Sequence, residues 1–487
     1  MTKTIPRAAA LCVLVLAALC CPGALAQTHA AGARSLDGYW LSDGYGYLAE
    51  VGGGEVRLFE VTPLSCIAAD AFALKADSRD PRGARYVKGS EVLLLSPGPS
   101  AETEWFQPLG AASKMLFRRA AARPAACSRE TANDPLTNFE VFAATFAAHH
   151  GFLKRRGVDW AAVTKEHRAK VSARTKPEEL FEVFKAMVEP LHDAHTFIGA
   201  RDIKRGFGGS RPGTLKLNDD EKRRTVEILE SRYLEGKVRS WCEGHVRYAR
   251  LKGGAGYLRI DSFYGYTPGG GFEEGGRALE AALDEIMRDA QALGGLVIDV
   301  RINSGGADPY GVQVAGRLTG RAYLAFVKRA RNDAQNPESW TAPQPMKVNV
   351  SVRPRFLKRV VELIGPDTVS AGETFTMALM GRRPAVARVG ENTQGVYSDV
   401  LVRRLPNGWR FGLPNEVFLD GRGRHYEATG VPPDVRVPVF PESDLEAGRD
   451  GALEKAIEML SGGRAGRQER PAASSARARR VRATAQW

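Results

Sequence analysis

Three segments of the sequence contain side chains that could perform acyl-transfer chemistry, although each also has an ordinary structural explanation. Ser370 precedes an apolar helical pattern and has Glu373 three residues later, so a helix capping box competes with a nucleophile. His195 follows a helical pattern close to Asp193, where a core or surface histidine is the commonest outcome. Glu427 lies in a glycine- and proline-containing loop, where a glutamate is usually just solvated. Taken singly, each of these signals is weak.

A glycine pair supplies a candidate cradle for a negative charge. The run LVIDVRI is typical of a strand buried on both faces, and Gly305 and Gly306 follow it. Ligands of open α/β sheets bind beyond the carboxyl ends of the strands, and glycine lets backbone N–H groups face a ligand. The pair indicates an anion or oxyanion site, with a plain turn as the alternative. The loop lacks the Lys and Ser/Thr of a phosphate-binding P-loop, so the pattern argues only weakly for a nucleotide.

Periodicity divides the chain into regions of different character. Alternating strand patterns around a three-glycine turn predict an N-terminal β region. Apolar residues spaced three and four positions apart predict the helices that follow it. Alternating strands and helices after these predict a mostly parallel sheet covered by helices. The predicted regions are a signal peptide at 1–26, a small N-terminal β domain at 27–125, a helical domain at 134–200, a loop-rich connection at 201–246, an α/β core at 247–445 and a basic disordered tail at 461–487.

The N-terminus has the pattern of an export signal. Lys3 and Arg7 precede an apolar run, and a small-x-small cleavage pattern ends at Ala26. We therefore expect an exported protein, periplasmic or secreted. Of the cysteines outside this segment, Cys66 and Cys127 could form one disulfide in an oxidising compartment, and unpaired cysteines packed as small hydrophobic side chains are nearly as well supported.

The net charge of +13 does not by itself indicate a nucleic-acid partner. The signal segment accounts for two positive charges and the chain from Ser461 onward for six, so the remaining body has an ordinary surplus of five. The tail could touch an anionic envelope surface, although a solvated tail without a function is the simpler interpretation. No CxxC, HExxH or EF-hand pattern occurs, and we predict neither a metal nor a cofactor.

Taken in order, the segments resemble peptidase family S41, which includes tail-specific and C-terminal-processing proteases and the core of the tricorn protease. The resemblance covers residues 134–440 and rests on four segments: LVIDVRINSGG, PDTVSAGETFTMAL, ARVGENTQG and GVPPDVRV. It implies an α/β, ClpP/crotonase-like catalytic core accompanied by a helical segment and a small N-terminal β domain. It also makes Ser370 a nucleophile rather than only a helix cap.

The sequence departs from the processing branch of this family. Where those enzymes carry a catalytic lysine, this chain has Val396, and Gly381 replaces their aspartate on the nucleophile helix. The tricorn-like branch uses an upstream histidine and a late glutamate, which His195 and Glu427 match. The serine that precedes the tricorn histidine is here Ala194, and the PDZ-like insertion of many relatives has no counterpart.

The resemblance implies serine peptidase chemistry without a cofactor. Ser370 would form an acyl-enzyme, His195 would act as general base, and Glu427 would orient His195 directly or through another side chain. The backbone of Ala371, Gly305 and Gly306 would form the oxyanion hole, with Glu373 serving the helix start. Substrates would be peptides or unfolded protein segments, with no nucleic-acid partner, and the sequence predicts no oligomeric state.

Two other functional classes remain open at this level. Relatives of the fold include retinoid-binding modules, so a non-catalytic ligand-binding protein on the same scaffold is one alternative. A cell-envelope interaction protein that uses the basic tail is the other. Retention of Ser370, His195 and Glu427 favours an enzyme.

Overall fold

The computed structural model describes residues 35–74, 82–214, 217–333, 335–336 and 338–465. The chain divides into a unit of residues 1–36 and a unit of residues 37–487, and every element below belongs to the second unit. The predicted signal peptide, residues 1–26, lies outside the described residues, as does the predicted tail beyond residue 465.

Eight antiparallel strands in the predicted β region close into a barrel. They are β1 (Gly38–Ser42), β2 (Tyr47–Gly52), β3 (Glu55–Val61), β4 (Cys66–Leu74), β5 (Ala84–Lys88), β6 (Glu91–Pro97), β7 (Thr103–Pro108) and β8 (Met115–Ala120). Buried and more exposed residues alternate along β3, as period-two patterning requires. The predicted hairpin is confirmed, because β2 pairs with β3. Closure comes from β8 pairing with β1, which leaves the sheet without an edge.

Three helices and a small sheet follow the barrel. They begin with α1 (Pro135–His149), α2 (Trp160–Arg168), α3 (Pro177–Val188), β9 (Phe197–Ala200) and β10 (Arg205–Gly208). The start of α3 is as predicted, with Pro177 in its first turn and Glu179 accepting the Lys176 N–H at 3.0 Å. The apolar faces of α1, α2 and α3 pack in one core with β9.

The remaining elements alternate between strands and helices. They are α4 (Asp219–Ile228), β11 (Leu234–Trp241), β12 (Val246–Leu251), β13 (Ala255–Ile260), α5 (Phe272–Ala290), β14 (Gly295–Asp299), α6 (Asp308–Gly316), β15 (Tyr323–Ala330), β16 (Gln344–Val348), β17 (Arg359–Ile364), α7 (Ala371–Met380), β18 (Ala387–Gly390), β19 (Val400–Arg404), β20 (Arg410–Pro414), β21 (Glu416–Asp420), β22 (Val435–Arg436), α8 (Glu442–Glu446) and α9 (Gly451–Ala465).

These strands form three sheets. The largest has the order β11-β12-β13-β14-β17-β18-β22, and its strands from β13 to β22 are parallel neighbours, as the alternating pattern predicts. Buried side chains of α5, α6 and α7 share one core with it, and α9 packs in a second core that includes the other faces of β14 and β17. The smaller sheets have the orders β10-β9-β20-β19 and β16-β15-β21.

Two predicted regions differ from the structure. The predicted loop-rich connection, 201–246, contains β10, α4 and β11, and β11 is the edge strand of the largest sheet. Its charged residues concealed the α4 start, where Asn218 and Glu221 form a capping box. The predicted tail also begins too early, because α9 continues through Ser461 to Ala465. Among the described residues, no helix is long and apolar enough to cross a membrane.

Candidate active site

The candidate residues from the core lie where three parallel strands end. Gly305 and Gly306 follow β14, Ser370 follows β17, and Val396 follows β18. Because β14, β17 and β18 are parallel neighbours, these segments emerge at the same edge of the sheet. This is the edge at which open α/β sheets bind their ligands.

Ser370 stands at the start of α7 in a conformation that few residues with a side chain adopt. Its φ is 55° and its ψ is −119°, and its side chain makes no capping hydrogen bond. Positive φ is costly for a non-glycine residue and persists only when the surroundings enforce it. Here the Ser370 N–H donates to the Val396 carbonyl at 3.1 Å, and the Ser370 carbonyl accepts the Glu373 N–H at 2.8 Å. The half-buried hydroxyl is therefore not used to cap the helix.

The capping-box assignment of Glu373 is wrong. Its carboxylate accepts the N–H groups of Gly395 and Val396 at 2.7 and 2.8 Å, away from the start of α7. Burial raises the pKa of Glu373 to about 7, against the effect of these hydrogen bonds. Glu373 therefore anchors the loop after β18 to the nucleophile helix, which local sequence spacing does not reveal.

The glycine loop is pressed against Ser370. A Cβ on Gly305, which has a φ of +85°, would lie 2.7 Å from the Ser370 Cβ, so only glycine fits. The loop is held from both sides, since the Phe263 N–H donates to the Gly305 carbonyl at 2.7 Å and the Ala307 N–H donates to the Phe263 carbonyl at 2.9 Å. It is thus preorganised beside the hydroxyl.

The predicted oxyanion donors differ in availability. The Gly305 N–H already donates to Asn303 Oδ1 at 2.9 Å, which removes it from the predicted set. Among the described residues, the N–H groups of Ala371 and Gly306 have no acceptor. Ala371 is also the first residue of α7, where the helix dipole favours negative charge. These two amides are therefore the remaining candidates.

His195 is buried at the opposite side of the loop after β18. Its backbone N–H donates to Asp193 Oδ1 at 2.7 Å, and its ring hydrogen-bonds the Ser398 carbonyl. Within the described residues its Nδ1 is buried and has no hydrogen-bond partner. Burial lowers the pKa of His195, although Asp193 and Asp399 favour the charged ring.

Glu427 does not contact His195; it contacts an arginine that the sequence did not single out. Arg156 Nη2 lies 3.1 Å from Glu427 Oε1 and 2.8 Å from Asp193 Oδ2. Its Nη1 donates to the carbonyls of Leu191 and His192, each at 3.0 Å. Arg156 therefore joins Glu427 to the loop that ends in His195, so the link between Glu427 and this loop is indirect.

The segment Val396–Ser398 contacts all three predicted catalytic residues. Its first carbonyl accepts the Ser370 N–H, its middle N–H donates to Glu427 Oε2 at 3.1 Å, and its last carbonyl accepts from the His195 ring. Consecutive Cα atoms are about 3.8 Å apart, so three residues hold these contacts within a span of roughly 8 Å. His195 and Glu427 are more than two hundred positions apart in the sequence, and both contact this short segment, as Ser370 does.

The carboxylates around Arg156 are crowded. Burial and the neighbouring Asp193 raise the pKa of Glu427 to about 8, despite Arg156 and the Tyr397 N–H. One guanidinium therefore does not fully compensate two buried carboxylates, and Glu427 retains its proton into neutral pH.

Sequence reasoning missed Arg156 and Asp399 as parts of this site. Arg156 lies in a run of basic residues between two helices, with no motif around it, and its carboxylate partners are distant in the sequence. Asp193 was noted only as a neighbour of two histidines, and its position in the LHDAHT segment was the available signal. Asp399 follows the Val396–Ser398 segment and pairs with the buried Lys328 at 2.5 Å.

The structure joins Cys66 and Cys127 by a disulfide with an S–S distance of 2.05 Å. The free thiol among the described residues is that of Cys242, which is buried. In that part of the chain, no three His, Cys, Asp or Glu side chains are grouped to hold a metal ion.

Comparison with known proteins identifies the core. Residues 254–437 match the model of peptidase family S41, a range that includes Ser370 and Glu427 but not His195. The chain is 28% identical over 230 residues to the chloroplastic C-terminal processing peptidase of Tetradesmus obliquus, covering 46% of this chain and 45% of that protein. It is 27% identical over 250 residues to the tricorn protease of Thermoplasma acidophilum, covering 50% of this chain and 20% of that protein.

A solved structure extends the similarity beyond the core. A candidate peptidase from Parabacteroides merdae ATCC 43184 superimposes with a TM-score of 0.56 at 25% identity, covering 68% of this chain and 98% of that chain. The chain spans less than half the length of the curated relatives it matches. The strands and loops that carry Ser370 and the glycine pair lie within residues 254–437, and this core belongs with peptidase family S41.

Proposed function

We propose that this protein is a serine peptidase that forms an acyl-enzyme on Ser370, with His195 as general base. The observation that carries the proposal is the Val396–Ser398 segment, whose backbone contacts Ser370, His195 and Glu427. The strained Ser370 backbone, whose side chain does not cap the helix, supports a nucleophile rather than a helix cap. The family of the core gives the reaction class.

The reaction begins with proton transfer from the Ser370 hydroxyl to His195 as its oxygen attacks the carbonyl carbon of a peptide bond. The imidazolium then gives that proton to the leaving amine, and an ester on Ser370 remains. Water, deprotonated by the same imidazole, hydrolyses the ester and restores the hydroxyl. General base catalysis of this kind contributes about 10²–10⁴ in rate. The carboxylates of Asp193 and Asp399 stabilise the charged ring in both halves of the reaction.

The tetrahedral oxyanion would be bound by the N–H groups of Ala371 and Gly306. Both lack an acceptor within the described part of the chain, and the glycine loop is fixed by hydrogen bonds to Phe263. Donors held in place before the reaction need no reorganisation when the charge develops, and each contributes roughly 10²–10³ in turnover. The start of α7 adds its dipole at the same place.

Glu427 acts as a positioning residue. It binds Arg156, and Arg156 binds Asp193 and the carbonyls of Leu191 and His192, so the loop before His195 is held from the Glu427 side. Glu427 also accepts the Tyr397 N–H and thus fixes the middle of the Val396–Ser398 segment. Removal of Glu427 would disorder the base and the segment together.

Peptides or unfolded protein segments are the proposed substrates, and the chemistry needs no cofactor. The related proteins are named as a C-terminal processing peptidase and a tricorn protease, which supports a peptide substrate. We also propose export to the periplasm or the outside of the cell. The disulfide between Cys66 and Cys127 supports an oxidising compartment.

The test compares hydrolysis of fluorescently labelled unfolded casein by the wild type, Ser370→Ala and Ser240→Ala. Ser240 is an exposed serine on the edge strand β11 and serves as the matched control. We expect Ser370→Ala to lose about 10³-fold or more in kcat with an unchanged circular dichroism spectrum, and Ser240→Ala to keep wild-type turnover. Wild-type turnover by a folded Ser370→Ala would refute Ser370 as the nucleophile, and no turnover by the folded wild type would favour a ligand-binding function on this scaffold.

A further inference from the structure

An open cavity of about 740 Å³ is lined in part by Arg155, whose Nε donates to the Glu427 carbonyl. It is formed by the turn after α1, the start of α2, the end of the β15 hairpin and the loop that precedes Glu427. Its volume falls within the range of small-molecule sites, which are typically apolar with a few placed polar groups. The proposed peptidase reaction does not use this cavity.

The walls of the cavity are rich in aromatic rings. Phe152 lies between Trp340 and His425, with ring centroids 6.5 and 6.4 Å away, and Trp160 forms part of the same wall. Phe152 and Trp160 are buried, whereas Trp340 remains half-buried at the opening. Such an array favours a flat apolar ligand, because aromatic pairs gain from stacked or edge-to-face contact at these distances.

An unsatisfied donor is buried in the same wall. His150 has no exposed surface, and its Nδ1 accepts the Phe152 N–H at 3.1 Å. Burial lowers the pKa of His150 to about 3, so the ring is neutral and its proton is on Nε2. Within the described residues that Nε2 has no hydrogen-bond partner. A buried donor without an acceptor costs free energy, which a ligand that brings an acceptor would recover.

The charge of the lining favours an anionic acceptor. Lys154, Arg155 and Arg331 line the cavity against two carboxylates, those of Asp159 and Glu338. The Asp159 side chain is already engaged as the N-cap of α2, where it accepts the Ala162 N–H. Three cations against two carboxylates leave the lining with one net positive charge. A carboxylate is the small anion that fits a planar guanidinium.

We propose that this cavity binds an aromatic carboxylate, with the ring between Trp340, Phe152 and Trp160 and the carboxylate towards His150 Nε2 and the basic side chains. The lining of this cavity contains none of Ser370, His195 and Glu427, and the proposed site does not depend on the proposed peptidase activity. Two sources share the required chemistry: a free aromatic acid, and the last residue of a peptide that ends in an aromatic side chain.

Isothermal titration calorimetry of the whole protein with 3-phenylpropionate tests the site. We expect 3-phenylpropionate to bind saturably. We expect 3-phenylpropionamide, which lacks the charge, and hexanoate, which lacks the ring, each to bind at least about tenfold more weakly. Acetyl-glycyl-phenylalanine supplies the peptide source. Tighter binding of this dipeptide than of 3-phenylpropionate supports a peptide terminus, and the reverse order supports a free acid.

Two variants and their matched controls locate the binding. Trp340→Ala removes a wall, and His150→Asn keeps an acceptor for the Phe152 N–H while deleting the Nε2 donor; each should weaken 3-phenylpropionate about five- to tenfold. Trp105→Ala on β7 and His167→Asn on α2 change the same residue types outside the cavity and should not alter binding. No saturation by the wild type, equal affinity for the amide, or unaltered affinity in both cavity variants would each overturn the proposal, whether or not the protein hydrolyses peptides.

Discussion

Two buried arginines in this protein each face two carboxylates, yet their surroundings have opposite consequences. Arg301 lies under the sheet and binds Asp299 through Nε and Nη2 and Asp450 through Nη1 and Nη2, at 2.6–3.0 Å. Each carboxylate of this cluster therefore receives two donors. The Tyr257 hydroxyl adds a further hydrogen bond to Asp299 at 2.7 Å.

The Arg156 cluster has the same composition but fewer donors for its carboxylates. One nitrogen, Nη2, serves both Asp193 and Glu427, because Nη1 is used by two backbone carbonyls. The pKa shifts of the two clusters have opposite directions. Burial raises the pKa of Asp299, but Arg301 outweighs it and the pKa is lowered. Burial and the neighbouring Asp193 together raise the pKa of Glu427. The Arg301 cluster therefore has enough donors for both of its carboxylates, whereas the Arg156 cluster leaves its carboxylates short of donors beside the loop that ends in His195.

Arg301→Met tests the structural side of this comparison and should have the largest effect on stability. It leaves two buried carboxylates without their cation, and we expect the free energy of unfolding to fall by about 3–5 kcal/mol. Urea denaturation measures the loss, and kcat/KM per folded molecule should stay within a few-fold of wild type. A large loss of kcat/KM with unchanged stability would place Arg301 in the reaction and remove the contrast.

Arg156→Ala tests the other cluster. The loop before His195 loses its hydrogen bonds to the guanidinium, and misplacement of a base by about 1 Å costs on the order of 10²-fold in rate. We expect kcat to fall by about that factor with a smaller change in KM. Added methylguanidinium should restore part of the activity, which a purely structural role would not allow. An unchanged kcat in the variant, with no effect of methylguanidinium, would contradict a positioning role.

The pH dependence of stability should differ in sign between the clusters. Because the folded pKa of Glu427 is raised to about 8, the folded state holds a proton that the unfolded state loses above 4.5, so this group lowers stability as the pH rises from 4.5 to 8. Glu427→Gln should remove a slope of up to about 1.4 kcal/mol per pH unit. Urea midpoints across this range, compared with wild type, measure the difference.

Asp299→Asn provides the opposite case. The folded pKa of Asp299 is lowered, so its stabilisation is present above 3.8 and is lost as the pH falls through the folded pKa. The variant should therefore lose stability at neutral pH without removing the slope between 4.5 and 8. If Glu427→Gln and Asp299→Asn gave the same pH profile, the two clusters would not differ as described.

The smallest expected effect concerns the base. His195 must be neutral to accept a proton, and burial lowers its pKa, so the acidic limb of kcat/KM should have its midpoint below 6.5. Asp399→Asn removes a carboxylate that favours the charged ring and should move the limb lower still by a few tenths of a pH unit. A limb at or above 6.5 in the wild type would contradict the buried, uncharged state of His195.

The parts of this site that the sequence predicts are those carried by local spacing. Gly305, Ser370 and Glu427 stand in short segments after strands, so local pattern predicts their positions, although the predicted donor role of Gly305 is excluded by its hydrogen bond to Asn303. The hairpin of β2 and β3 and the start of α3 are likewise encoded within a few residues.

The parts that could not be predicted depend on long-range pairing. Closure of the barrel needs β1 to pair with β8, and no local pattern specifies that pairing. Arg156 meets Glu427 across 271 positions, and Glu373 serves a loop 22 residues away rather than its own helix. Local spacing reveals neither partner, which is why the sequence indicates a capping box where the folded chain has an anchor.

The central claim is that His195 activates the hydroxyl of Ser370, and intact-mass kinetics with a fluorophosphonate probe test it most directly. The account predicts one adduct per chain, located on Ser370, with a labelling rate that falls about 10²–10⁴-fold in His195→Gln. Labelling of a different serine, or an unchanged rate in folded His195→Gln, would contradict it.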